Sequence, residues 1–289
     1  LSLYGGFPAG GGTRDPAVNT STLSGDIGTT NDTSDNCYHV LLIALASTSG
    51  HTLVDGFTIS GGNANNNSTI TVNGLSVGRN QGAGIYSRQG HNSFIQNIIT
   101  NNNASGNGGG MANLGGPGAL LASSNYISNN TFSGNSAVSG GGLYAVLCTD
   151  TLSGNIFSGN TANNGAGFFG NGGTHLLSQN TVENNVAGNN GGGLYLASCT
   201  SMQLANSLVS NSAAVDGGAV YQAGGTDTCR NSVIRQNSAG DGGGLYMSGS
   251  FNNESTNNTI FSNSATGNGG GLCTNSCSNF QLRNNLFWA

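Results

Sequence analysis

A glycine cluster followed by one large apolar residue returns about every twenty-five residues, and that period restricts the chain to a solenoid before any single residue is weighed. The copies read QGAGIY, GGGMAN, GGGLYA, GAGFFG, GGGLYL, GGAVYQ, GGGLYM and GGGLCT. Their first large apolar residues are Ile85, Met111, Leu143, Phe168, Leu194, Val220, Leu245 and Leu272, at spacings of 26, 32, 25, 26, 26, 25 and 27. The one long interval holds Pro117 and is expected to bulge from its coil as a loop.

A second motif keeps register with the first. About fourteen residues after each apolar marker comes apolar-x-x-Asn, ending at Asn135, Asn160, Asn185, Asn211, Asn237 and Asn263, with an alanine two residues later. The apolar stretches are short, rich in Ile, Val, Phe, Tyr and Thr, and bounded by Gly and Asn, which are strand signals. No stretch holds helical periodicity over three turns, and 51 glycines oppose helix by ~1 kcal/mol per site relative to alanine. The expected fold is an all-β, right-handed parallel β-helix of about 25 residues per coil. At ~4.8 Å per strand, eight marked coils span roughly 40 Å. Glycine supplies positive φ at the corners, and the recurring Asn is expected to form an amide ladder along the axis, each side chain donating to one neighbour and accepting from the other.

Charge is scarce: six arginines and no lysine stand against eleven acids, for a net charge of −5. Stacking accounts for part of this, because a charge repeated at one coil position faces its own copy ~5 Å away. Nucleic acid is excluded as a partner, since binding its backbone needs clustered Lys and Arg. Lysine-based covalent chemistry is absent with the residue. No apolar run approaches a membrane span, the longest being 40–46.

Six cysteines without paired CxxC motifs favour an oxidising compartment over a metal site. Expected disulfides are Cys273 with Cys277, close in sequence, and Cys199 with Cys229, in adjacent coils. Cys148, Cys199 and Cys277 all lie five residues after a marker, on one line, and Cys37 and Cys148 have no evident partner. No metal site and no cofactor are expected.

One domain covers 1–289, with irregular coils over 1–80 and regular coils over 81–289, since no linker divides the chain. No amphipathic helix caps either end. Leu1, Leu3, Tyr4 and Phe7 at one end and Leu286, Phe287 and Trp288 at the other form two apolar faces, and head-to-tail stacking into a homo-oligomer is the expectation drawn from them.

The coupled GG[GA]-apolar and FxxN motifs, with the opening LYGGF, TLSGDIG at 22–28 and LVDGFTISGGNA at 53–64, resemble the repeats of chlamydial polymorphic outer membrane proteins and related bacterial secreted β-helix proteins. The resemblance spans nearly the whole chain and is specific for fold. It implies a secreted or surface-displayed structural and adhesive role, with a polysaccharide or a host or cell surface as partner. The membrane barrel expected at the carboxyl end of that family is missing from these residues.

The alternative is a polysaccharide-binding protein or a polysaccharide lyase. A lyase needs a base and carboxylates that hold calcium against a uronate. The bases available are Arg88, Arg230 and Arg235, and the acids Asp216, Asp227 and Asp241, of which Asp216 and Asp241 occupy equivalent positions in successive coils. No carboxylate pair of hydrolase type occurs, and His39, His51, His91 and His175 read as scattered surface or loop residues, so no catalytic residue is assigned. Immediately after the marker, Tyr144, Phe169, Tyr195, Tyr221 and Tyr246 occupy consecutive coils. Strand alternation turns this row outward, where it suits sugar rings; a bend at the glycine would fold it into the core. Thr149, Thr174, Thr200 and Thr226 read as similar but non-identical steps, short of a regular threonine face.

Overall fold

The computed structural model describes residues 1–45, 51–116 and 123–288. Pro117 and the loop expected around it lie outside the described residues. Among the described residues every element is a strand, and all pairings are parallel except one hairpin, Thr69–Val72 against Leu75–Gly78, which occupies a polar excursion before the first glycine cluster. The molecule is a parallel β-solenoid.

The markers stack in unbroken register, Ile85 on Met111, Leu143, Phe168, Leu194, Val220, Leu245 and Leu272. Leu41 pairs with Ile85 and adds a coil that its sequence conceals, because it lacks the preceding glycines. A second row runs through Val54, Phe94, Ile127, Leu152 and Leu177, and a third through Ile59, Ile99, Phe132, Phe157, Val182, Leu208, Ile234 and Ile260. These rows meet in one core, and burying each such side chain contributes ~1.5–3 kcal/mol. At the narrow corner only a methyl fits, and Ala162, Ala187, Ala213 and Ala239 form a separate buried line.

The amide ladder is present and continuous. Asn160 Oδ1 accepts from Asn135 N and Nδ2, both at 3.1 Å, while its own Nδ2 donates to Phe132 O and Asn185 Oδ1, both at 2.9 Å. The pattern continues through Asn211, Asn237 and Asn263. A second ladder, not expected from the sequence, runs parallel to it through Asn97, Asn130, Asn155, Asn180 and Asn206. Its signal was present: Leu152-Ser-Gly-Asn155 is the same motif five residues upstream of Asn160. Residues immediately before ladder asparagines adopt positive φ, as at Gln179, Asn184 and Ser210, so each ladder marks a corner where the chain turns between sheets.

Both expected disulfides are corrected, for all six cysteines are free thiols. Cys229 faces Gln203, four positions further along the sheet than Cys199. That offset is roughly 13 Å at ~3.3 Å per residue, beyond the Cα separation a disulfide bridges. Cys273 lies beside Tyr246, whereas Cys277, the same four residues on, turns its thiol 3.3 Å from Met247 O. Cys148, Cys199 and Cys229 are buried, and burial, reinforced by Asp227, pushes the Cys199 thiol up to about 12. Native protein is therefore expected to show three thiols to an aqueous disulfide reagent (Cys37, Cys273, Cys277) and the other three only after denaturation. Six fast-reacting thiols in native buffer would contradict the packing.

Candidate functional site

The aromatic row faces outward. Its members alternate with buried neighbours, the markers before and Ala145, Leu196, Gln222 and Met247 after. Tyr144, Phe169, Tyr195, Tyr221 and Tyr246 form one column, with ring centroids 5.1, 4.7, 4.8 and 5.4 Å apart and ring planes within 23° of parallel. Each inner ring thus spends both faces on its neighbours and offers solvent only its edge and, for Tyr195 and Tyr221, its hydroxyl. Sugar rings stack on aromatic faces, and here those faces are taken: beyond its ends the column continues against Ala112 at Tyr144 and Cys273 at Tyr246. The row is half-buried, and Tyr246 is 8% exposed. Burial raises the Tyr144 and Tyr195 hydroxyls, and burial together with Tyr195, Asp216 and Tyr246 raises that of Tyr221, so these groups remain donors at neutral pH.

Asp216 and Asp241 pair across adjacent coils on the shoulder beside this column. They line a shallow groove of about 320 Å³ with Ala214, Val215, Thr266 and Gly267. Burial and then the Asp241 charge raise the Asp216 carboxyl, and Asp241 accepts the Asn268 backbone N–H. The arginines do not join them: Arg88 bonds Ser76 O, Arg230 pairs with Glu254 at 2.7 Å, and Arg235 bonds Gln236. Asp227 points to the interior while Arg230, three residues on, is exposed, so a lyase acid and base are not brought together there. Among the described residues no group of three or more His, Cys, Asp or Glu side chains is placed to hold a metal.

The threonine reading is corrected: Thr149, Thr174, Thr200 and Thr226 are in register, one per coil, each six residues after its marker. The parallel outward row two residues on reads Thr151, Leu176, Met202, Thr228, so the hydroxyls form a line and not a lattice.

A further correction concerns His175, which is fully buried rather than at the surface. It belongs to an interior row one residue beyond the threonines: Asn125, Asp150, His175, Ser201, Asp227 and Asn253, all buried. Asp150 accepts from Asn113 and Asn125, each at 2.9 Å, and its other oxygen lies 3.3 Å from His175 Nδ1. The residue types of a nucleophilic triad are therefore adjacent, but the geometry is not one. His175 Nε2 is 3.1 Å from Gly172 O, Ser201 Oγ bonds Asp227 instead of the imidazole, and none of them meets solvent. For Asp150, His175, Ser201 and Asp227 a constant offset of seven residues from the marker is the signal that finds this row. His39 is partly buried beside Tyr86, and His51 and His91 are exposed.

At one end Leu1, Tyr4 and Phe7 are exposed, and Leu1 lines a cleft of about 480 Å³ with Leu3 and Leu41–Leu45. Leu286, Phe287 and Trp288 are also exposed, Trp288 stacking on Phe261 at 4.6 Å beside a cleft of about 290 Å³.

The family model described as right handed beta helix region matches residues 59–228 and, overlapping them, 118–287. No curated protein matches the sequence. Among solved structures the chain is similar to the crystal structure of the periplasmic alginate epimerase AlgG, at 9% identity and a TM-score of 0.41, over 83% of this chain and 70% of that one.

Proposed function

The chain belongs to the right-handed β-helix family, and from that premise we propose that it is an extracellular or cell-surface solenoid with a structural and adhesive role and no catalytic turnover. The observation that carries this reading is where its chemistry lies. The tyrosine hydroxyls and the threonine line repeat along the axis at the strand spacing, whereas the adjacent Asp150, His175 and Ser201 side chains are sealed inside. A repeated line of hydroxyls suits many weak contacts to an extended surface; an enzyme needs converging groups that substrate can reach. The likeness to polymorphic outer membrane repeats supports the surface placement, which the free cysteines do not. The two end coils present the same strand rows, Ser2–Tyr4 and Gln281–Arg283, so we extend the proposal to axial stacking of copies.

The second reading, action on an acidic polysaccharide, rests on the Asp216–Asp241 groove next to Tyr221. Incubation with pectin, alginate and glycosaminoglycans in calcium, followed by absorbance of unsaturated products, decides between them. No product is expected. Turnover lost in Asp216→Asn or Asp241→Asn would replace the adhesive reading with the lyase.

A further inference from the structure

Asp150 and Asp227 occupy the same interior row, and both are buried, but they are solvated differently. Asp150 has His175 beside it at 3.3 Å. Among the described residues Asp227 has no imidazole or guanidinium beside it. On the preceding coil it meets Ser201, whose Oγ donates to it, and Gln203, whose Nε2 donates at 3.0 Å. On the following coil its backbone N–H donates to Asn253 Oδ1 at 2.8 Å. The remaining titratable groups turned toward it are the buried thiols of Cys199 and Cys229, whose own values its charge helps to raise. Arg230 and Glu254, the nearest ion pair in sequence, neutralise each other on the outer face. His175 is two coils away, roughly 10 Å by strand spacing.

A carboxylate without a counter-charge in a dry interior is costly, and three neutral donors, Ser201, Gln203 and the Thr228 backbone N–H, offset only part of that cost. We propose that Asp227 is a proton-operated lock: the coils around it are held tightest when its carboxyl is protonated, and loosen when it ionises. Burial, opposed in part by the Ser201 and Gln203 bonds, raises this carboxyl from 3.8 to about 6. The folded value lies above the unfolded one, so folding takes up a proton between them. The stabilising contribution is complete below about 4 and is lost as pH rises through about 6. A surface protein with this lock tightens in acid, against the usual trend of carboxylate-rich proteins.

The test is Asp227→Asn, which keeps the shape and removes the charge. Gln203 Oε1, which has no partner now, can turn to accept from the new amide. Denaturant unfolding is measured from pH 4 to 8 for both proteins. The variant is expected to equal the wild type near pH 4 and to be about a hundredfold more stable in its folding constant at pH 7, the equivalent of two pKa units. A gap that does not change with pH would overturn the lock. Should the variant not fold, infrared titration of the wild type and Ser201→Ala decides. A protonated-carboxyl band fading near pH 6, and at higher pH in Ser201→Ala, supports the proposal; no such band at pH 5 refutes it.

Discussion

Asn160→Leu is expected to cost the solenoid on the order of 4 kcal/mol, enough to consume much of the stability of an ordinary domain. The side chain is fully buried and makes four hydrogen bonds to protein. Leucine keeps the branched four-atom skeleton but is bulkier, so overpacking adds to the loss of hydrogen bonds. It leaves Asn135 N without its partner and strips one bond each from Asn135 Nδ2, Phe132 O and Asn185 Oδ1, in a corner closed to water, although Asn135 Nδ2 keeps Ile99 O and Asn185 Oδ1 keeps the backbone N–H of residue 160. Each such group costs ~1–3 kcal/mol, reduced by whatever relaxation the corner allows. The second ladder contains a natural control. Ser232 stands where an asparagine is expected, accepting from Asn206 N at 3.2 Å and handing its own N–H to Asn258 Oδ1 at 2.8 Å. Asn160→Ser should therefore lose clearly less than Asn160→Leu. Urea midpoints for the two variants measure the difference, and a leucine variant within about 1 kcal/mol of wild type would mean the ladder is ornament on a core that folds without it.

The architecture was legible because a solenoid writes each structural demand once per coil, and eight copies expose what a single one hides. Marker, aromatic row and the Asn135–Asn263 ladder all repeat at constant offset, and their neighbours across coils followed directly from counting. Features that vary in residue type along a row were not legible. The interior line Asp150, His175, Ser201, Asp227 has a constant offset of seven but a different residue in each coil, so composition patterns pass over it. Its burial follows from alternation with the outward threonines, each six residues after its marker. The disulfide expectation failed for a different reason. Sequence proximity measures distance along the chain: Cys273 sits in the strand Leu272–Asn275 and Cys277 beyond the turn at Ser276, while four residues of register keep Cys199 from Cys229. Stacking of the tyrosines was foreseen, but the use of their faces by one another is a property of the rings' orientation, which only coordinates supply.

Gly191→Ala is expected to destabilise by about 3 kcal/mol, and the reason separates two demands that a repeated glycine merges. Gly191 has φ 67, three residues before the marker Leu194, in a position glycine holds in every marked coil. Positive φ alone does not require glycine in this protein, since Ala205 at φ 52 and Leu147 at φ 54 occupy other corners. What differs is space. A Cβ at 191 would stand 2.5 Å from Leu194 O and 3.0 Å from Tyr195 Cβ, so it meets the backbone of its own marker strand and the root of the aromatic column together. Neither is a flexible tip that can swing away. Relief requires the strand to shift, and a shift at one coil breaks register with the coils above and below, which hold Leu194 and Tyr195 through Phe168, Phe169, Val220 and Tyr221. Gly249, at φ 58 with nothing within 4 Å of its built Cβ, carries the conformational demand without the steric one. Gly249→Ala should cost ~1 kcal/mol, the strain of a left-handed alanine. Comparison of the two variants by urea unfolding, with tyrosine near-ultraviolet circular dichroism reporting the column, tests the division. Equal losses would assign the glycine repeat to backbone conformation, whereas a larger loss at 191 accompanied by a changed tyrosine signal assigns it to the packing of the ladder.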